Sequence, residues 1–161
     1  MKRREFIKST SALASVTLLP SSVWAGIKKG KIRTAHIGVG GMGGADLSSI
    51  ASHPSVEVSA LCDVDTDRLA SAHLKYPDAK VFSDYRQLFE KMGRKIAAVS
   101  VSTPDHTHGP VARVAMDMGK AVYCQKPLTH LVSEGRVLRQ LAEEKNLVTQ
   151  MGIQIHSFKE Y

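Results

Sequence analysis

Gly38-Val39-Gly40-Gly41-Met42-Gly43 sets three glycines in the order G-x-G-x-x-G. The chemistry open to such a loop is the holding of a phosphate. Gly38 permits a tight turn, Gly40 lets the backbone approach a pyrophosphate, and Gly43 lets the following helix pack closely on the preceding strand. A helix opening at Met42 brings unpaired amides and a partial positive charge to bear on the anion, so Gly41 and Met42 belong to the same cradle. About 20 residues beyond Gly43, Asp63 closes the next strand, where a carboxylate accepts hydrogen bonds from ribose hydroxyls. The same carboxylate repels a 2′-phosphate, so NAD is expected over NADP. Arg68 softens that preference if its guanidinium swings toward the ribose.

Two further loops follow apolar strands. Ser102-Thr103-Pro104-Asp105-His106-Thr107-His108 comes after one, and Gln125-Lys126-Pro127-Leu128 after another. Both fall at carboxyl ends of strands, where open parallel sheets bind ligands. Pro104 and Pro127 stiffen their loops. A lysine such as Lys126 can orient a substrate hydroxyl or hold charge during hydride transfer. Asp105, His106 and His108 do not make a firm metal set, and the two histidines read as cap or surface groups. No metal is expected. Asp63-x-Asp65-x-Asp67 fails as a calcium loop, because Arg68 and Leu74 stand where glycine and glutamate are needed.

The elements that must position these loops alternate. Strands are expected at Ile32 to Val39, Val56 to Cys62, Val81-Phe82, Ile96 to Val101, Ala121 to Cys124 and Val148 to Met151. Helices are expected at Met42 to Ser52, Thr66 to Tyr76, Asp84 to Met92, Pro110 to Met118 and Ser133 to Lys145, with Asp65 and Asp84 as caps. Pro110 is placed in the first turn of its helix and Gly119 at a left-handed stop. Alternation of this kind, with strands rich in Val, Ile and Ala, predicts an α/β fold: a doubly wound, parallel Rossmann sheet with helices on both faces. His36 in the first strand reads as a satisfied core or edge histidine, and Cys62 and Cys124 as small buried hydrophobes.

The chain resembles the Gfo/Idh/MocA oxidoreductases from about Ile32 to Gln154. The glycine loop is common to many families, but the Thr-Pro-Asp-x-x-His loop, Gly119-Lys120 and the Lys-Pro loop together are specific to this one. The resemblance implies that Thr103 and Pro104 line the cofactor with His108 nearby, and that Gln125 and Lys126 lie beside the nicotinamide, Lys126 as the catalytic candidate. Many members carry Glu-Lys-Pro; here Gln125 keeps the hydrogen-bonding shape without the charge. The Gln-Lys-Pro-Leu-Thr variant is similar to that of exported bacterial relatives. The implied activity is hydride transfer between NAD and a sugar or polyol hydroxyl. A redox-neutral NAD-dependent glycosidase and a non-catalytic dinucleotide-binding module are the alternatives. The family has a second, substrate-holding domain, of which only a start at 154–161 is expected here. This chain alone is therefore expected to turn over little, and the full-length protein to be a homo-oligomer.

The first 25 residues read as an address. Lys2-Arg3-Arg4-Glu5-Phe6-Ile7-Lys8 matches a twin-arginine n-region, Ser9 to Leu19 is too short to span a bilayer, and Val23-Trp24-Ala25 suits a signal peptidase. Export to the periplasm is expected, with an ordinary secretory signal as the alternative and no stable membrane insertion. Residues 26–31 read as a linker and 32–153 as the dinucleotide-binding domain. Of the net charge of +7, the address holds +3. The remainder forms no basic stripe with interleaved aromatics, so no nucleic-acid partner is expected.

Overall fold

Strands form where β-branched and small apolar residues run together, and the first four runs are followed by glycine, aspartate or serine. The computed structural model describes residues 30–153, so the address, most of the linker and the segment 154–161 lie outside the described residues. Six strands result: β1 (Ile32–Ile37), β2 (Val56–Cys62), β3 (Lys80–Phe82), β4 (Ala98–Val101), β5 (Ala121–Gln125) and β6 (Thr149–Gly152). Between them run α1 (Met42–Ala51), α2 (Thr66–Lys75), α3 (Tyr85–Met92), α4 (Asp105–Asp117) and α5 (Val132–Glu144). All strand pairs are parallel, in the order β3-β2-β1-β4-β5-β6. This is the doubly wound Rossmann arrangement, and its strand order reverses between β1 and β4.

The sheet divides two apolar clusters. Leu47 and Ala72 of α1 and α2 pack on Leu61 on one face. On the other, Leu88, Phe89, Ala115, Met116 and Leu138 of α3, α4 and α5 pack on Ile37, Val99, Val101 and Cys124. Both cysteines are buried, and burial pushes each thiol up to about 12, Asp63 and Asp84 adding to the effect at Cys62. Such thiols are inert at neutral pH. No helix among the described residues is long and apolar enough to cross a membrane.

The sequence placed the elements within a residue or two, with one larger difference at the start of α4. β1 ends at Ile37, because Gly38 already turns with φ of +83°. α4 begins at Asp105 rather than Pro110. Pro104 serves as its N-cap, so Pro110 stands inside the helix instead of opening it. Gly119 does adopt the left-handed stop, at φ of +72°.

His36 is only half satisfied. Thr34 Oγ1 donates to the Glu57 carbonyl at 3.2 Å, so it receives its 3.0 Å bond from His36 Nε2. Nδ1 is buried and has no partner among the described residues. Burial holds the imidazole down from 6.5 to about 4. The unfolded chain therefore takes up a proton at a pH where the folded chain does not. Stability from this group is complete above pH 6.5 and falls as the pH drops through 4, by up to about 3 kcal/mol. Urea unfolding of wild type and His36→Leu at pH 7 and pH 4.5 should show the wild type losing more on acidification. Equal losses would remove His36 from the account.

Candidate functional site

Parallel register brings four strand ends to one level. Ile37 pairs with Cys62 on one side and Val101 on the other, and Val101 pairs in turn with Cys124. Gly38, Asp63, Ser102 and Gln125 thus leave the sheet near one line, at its carboxyl edge and across the switch point.

Backbone sets the glycine loop. Gly38 N–H donates to the Cys62 carbonyl at 2.8 Å. A Cβ at Gly38 would strike the Ser102 carbonyl, and one at Gly43 would strike the Gly38 carbonyl and press on Ser102 Cβ at 3.1 Å. Gly41, with φ of +52°, is the N-cap of α1. That helix start has no side-chain cap and no acidic residue in its first turn. The amides of Gly40 and Gly41 have no protein acceptor among the described residues. Donors left unmet at an uncapped helix start suit an anion. Met42, half exposed, is the first residue of the helix.

Asp63 is tied into the same loop. Its Oδ2 accepts from Val39 N–H at 2.8 Å and its Oδ1 from Asp65 N–H at 3.0 Å. Each carboxylate oxygen keeps a second lone pair for a ligand hydroxyl. Arg68 crosses over Gly40, where a Cβ would collide with its Cδ. Its Nε lies 3.1 Å from Asp65 Oδ2, which holds the guanidinium on Asp65 rather than leaving it free to swing. Gly38, Gly40, Asp63, Arg68, Thr103 and Pro104 share the wall of a cleft of about 610 Å³. Gln125, the last residue of β5, and Lys126 just after it do not line that cleft. Lys126 is exposed, and its peptide to Pro127 is cis.

Two features were not evident in the sequence. His108 is neither a cap nor a surface group: it is 1% exposed. Its Nδ1 lies 2.6 Å from the Pro127 carbonyl and its Nε2 2.7 Å from the Thr103 carbonyl. The ring is a strut between the Thr103 and Lys126 loops. The second feature is Asp46, a carboxylate buried in the middle of α1. It accepts from Ser102 Oγ at 2.6 Å and from Gln125 Nε2 at 3.0 Å. An aspartate in a helix interior, one turn past the third glycine, is an unfavourable choice. That was the one available signal. Among the described residues no group of three or more His, Cys, Asp or Glu gathers as metal ligands.

A profile of the Gfo/Idh/MocA oxidoreductase family, with its NAD-binding Rossmann fold, matches residues 32–153. The chain is 36% identical over 137 residues to a glycosyl hydrolase family 109 protein of Stenotrophomonas maltophilia, a match covering 78% of this chain and 29% of that protein. It is 32% identical over 118 residues to an inositol 2-dehydrogenase of Salmonella typhimurium, covering 71% of this chain and 34% of the relative. Among solved structures it superposes on GenD2 from gentamicin A biosynthesis in complex with NAD, with a TM-score of 0.70 and 25% identity over 76% of this chain and 34% of that one. The chain thus spans about a third of the length of the relatives it matches.

The His108 strut carries a stability test. His108→Ala removes a buried ring that bridges the Thr103 and Pro127 carbonyls and should cost about 3 kcal/mol in urea unfolding, whereas a surface histidine costs less than about 0.5 kcal/mol. A loss within the surface range would show that the two loops do not lean on this ring.

Proposed function

Because this chain belongs to the Gfo/Idh/MocA family, oxidoreductases with an NAD-binding Rossmann fold, we propose that it is the cofactor-holding part of a dehydrogenase that moves hydride between NAD and a hydroxyl-bearing carbon of a sugar or polyol. The observation that carries the reading is the joint geometry of the glycine loop and Asp63: Gly38 and Gly40, which lead into the uncapped α1 start, share one cleft with Asp63 across the switch point. The inositol 2-dehydrogenase likeness supports the substrate class.

The residues present fit a dinucleotide. Side chains at Gly38 and Gly43 would overlap backbone carbonyls, so glycine permits the close approach of loop and sheet that sets the helix start. The amides of Gly40 and Gly41, with the turn at Met42, hold the pyrophosphate. Asp63 accepts from the adenosine ribose, and its charge disfavours a 2′-phosphate. Arg68 remains paired with Asp65 and covers the loop at Gly40. Thr103 and Pro104 form the opposite wall. When bound, nicotinamide supplies the hydride-accepting and hydride-donating carbon. Lys126, exposed after β5, donates to the substrate hydroxyl and holds positive charge beside it as the oxygen loses its proton. Gln125 fixes the start of that loop, because its Oε1 accepts from Lys126 N–H at 3.2 Å.

The Arg3-Arg4 address supports delivery to the periplasm after folding around the cofactor, with the whole protein working as a homo-oligomer. A fusion of residues 1–30 to a reporter that is active only after folded export tests the route, and cytoplasmic retention would rule it out.

Titration with NADH tests the cofactor reading on this chain. Saturable binding is expected, weaker for NADPH, and Asp63→Ala should lower NADH affinity by about tenfold, the worth of one charged hydrogen bond. Unchanged affinity would refute the ribose role, and no binding at millimolar NADH would refute the reading. In a preparation that turns over, net NADH formation from a polyol is expected. Glycoside cleavage without net NADH would replace it with the redox-neutral route.

A further inference from the structure

Asp46 is a carboxylate taken almost wholly out of water, at 8% exposure, with no cation within salt-bridge distance among the described residues. A buried charge persists only where hydrogen bonds replace its water. Here they come from two neighbouring strand ends. Ser102 Oγ donates to Oδ2 at 2.6 Å, and Gln125 Nε2 lies 3.0 Å from both carboxylate oxygens. Tyr123 closes the group, its hydroxyl 3.4 Å from Gln125 Nε2. Burial, together with the charge and hydrogen bond of Asp46, raises that phenol above its ordinary range. The cluster occupies the one place where α1, the end of β4 and the end of β5 meet.

The ionised carboxylate only accepts, so it dictates which way the Gln125 amide faces. The NH2 group must turn to Asp46. The carbonyl oxygen must then turn the other way, where it receives Lys126 N–H at 3.2 Å. The amide is also closely packed on its other side: a Cβ at Gly152 would meet the Tyr123 hydroxyl and come within 3.0 Å of Gln125 Cδ. A glutamate at position 125 would put two carboxylates about 3 Å apart in a poorly solvated site, a strongly unfavourable contact.

We propose that Asp46 is a positioning residue that sets the Lys126 loop against the phosphate-holding helix, and that the single negative charge of this junction belongs to the Asp46–Gln125 pair rather than to position 125 itself. The inference rests on the cofactor reading above. It explains why a glutamine precedes Lys126 in this chain, and it makes α1 the common support of the glycine loop and the Lys126 loop. Its N-terminus faces the pyrophosphate, and its Asp46, one turn on, fixes the lysine that faces the reacting end.

Exchange of the pair tests this. Calorimetric titrations with NADH and with ADP-ribose, which lacks the nicotinamide, would compare wild type, Gln125→Glu, and the double variant Asp46→Asn with Gln125→Glu. Gln125→Glu is expected to weaken NADH by about tenfold while ADP-ribose stays within about twofold. The double variant, which moves the charge across the same contact, is expected to return NADH to within about threefold of wild type. If Gln125→Glu does not fold, recovery of folding and of the wild-type ratio of the two affinities in the double variant supports the proposal on its own. Equal weakening of both ligands would mean a general structural role and overturn it. So would wild-type NADH affinity in Gln125→Glu, or a double variant no better than the single. Wild-type chain that binds neither ligand would instead remove the cofactor reading on which the inference stands.

Discussion

Everything at the carboxyl edge of the sheet depends on backbone meeting backbone. The end of β1, the start of α1 and the turn after β4 approach so closely that a single added carbon at Gly38 or Gly43 would overlap a carbonyl group. Such a junction lacks side-chain packing, and glycine costs more conformational entropy on folding than any other residue. What it gains is a helix start with bare amides set directly above the switch point of the sheet. The Asp63 carboxylate stiffens the arrangement from the β2 side through Val39 N–H, so one residue both shapes the loop and faces the cleft.

Two buried polar connections extend that junction toward the lysine loop. His108 joins the Thr103 and Pro127 carbonyls, and Asp46 joins Ser102 to Gln125. Neither is a cheap way to gain stability, because each polar group leaves water on folding. Each is directional, however, and an apolar contact in the same place would let the loops slide. The glycine-loop side of the junction is thus fixed by backbone and the Lys126 side by buried hydrogen bonds.

Much of this was legible in the sequence, for physical reasons that also mark where legibility ended. Strands buried on both faces write themselves as apolar runs, and Pro77, Gly119 and the acidic caps Asp65 and Asp84 punctuate what lies between. The glycine loop and its acid were readable because their roles depend on spacing along one βαβ unit. The start of α4 was misjudged because Pro110 looks like an opening residue, whereas Pro104 and Asp105 begin the turn earlier. His108 and Asp46 were opaque for a different reason. Their partners lie 19 and 79 residues away in the chain, and no local pattern reports which loop a polar side chain will meet. Lys126 was singled out through its loop, while the residue that aims the preceding glutamine was not.

The most direct test is a crystal structure of this chain grown with NADH. Density for the pyrophosphate against the amides of Gly40 and Gly41, with the adenosine ribose hydroxyls on Asp63, is the predicted result. A nucleotide bound elsewhere, or a cleft closed by side chains with the helix start facing only solvent, would contradict the account.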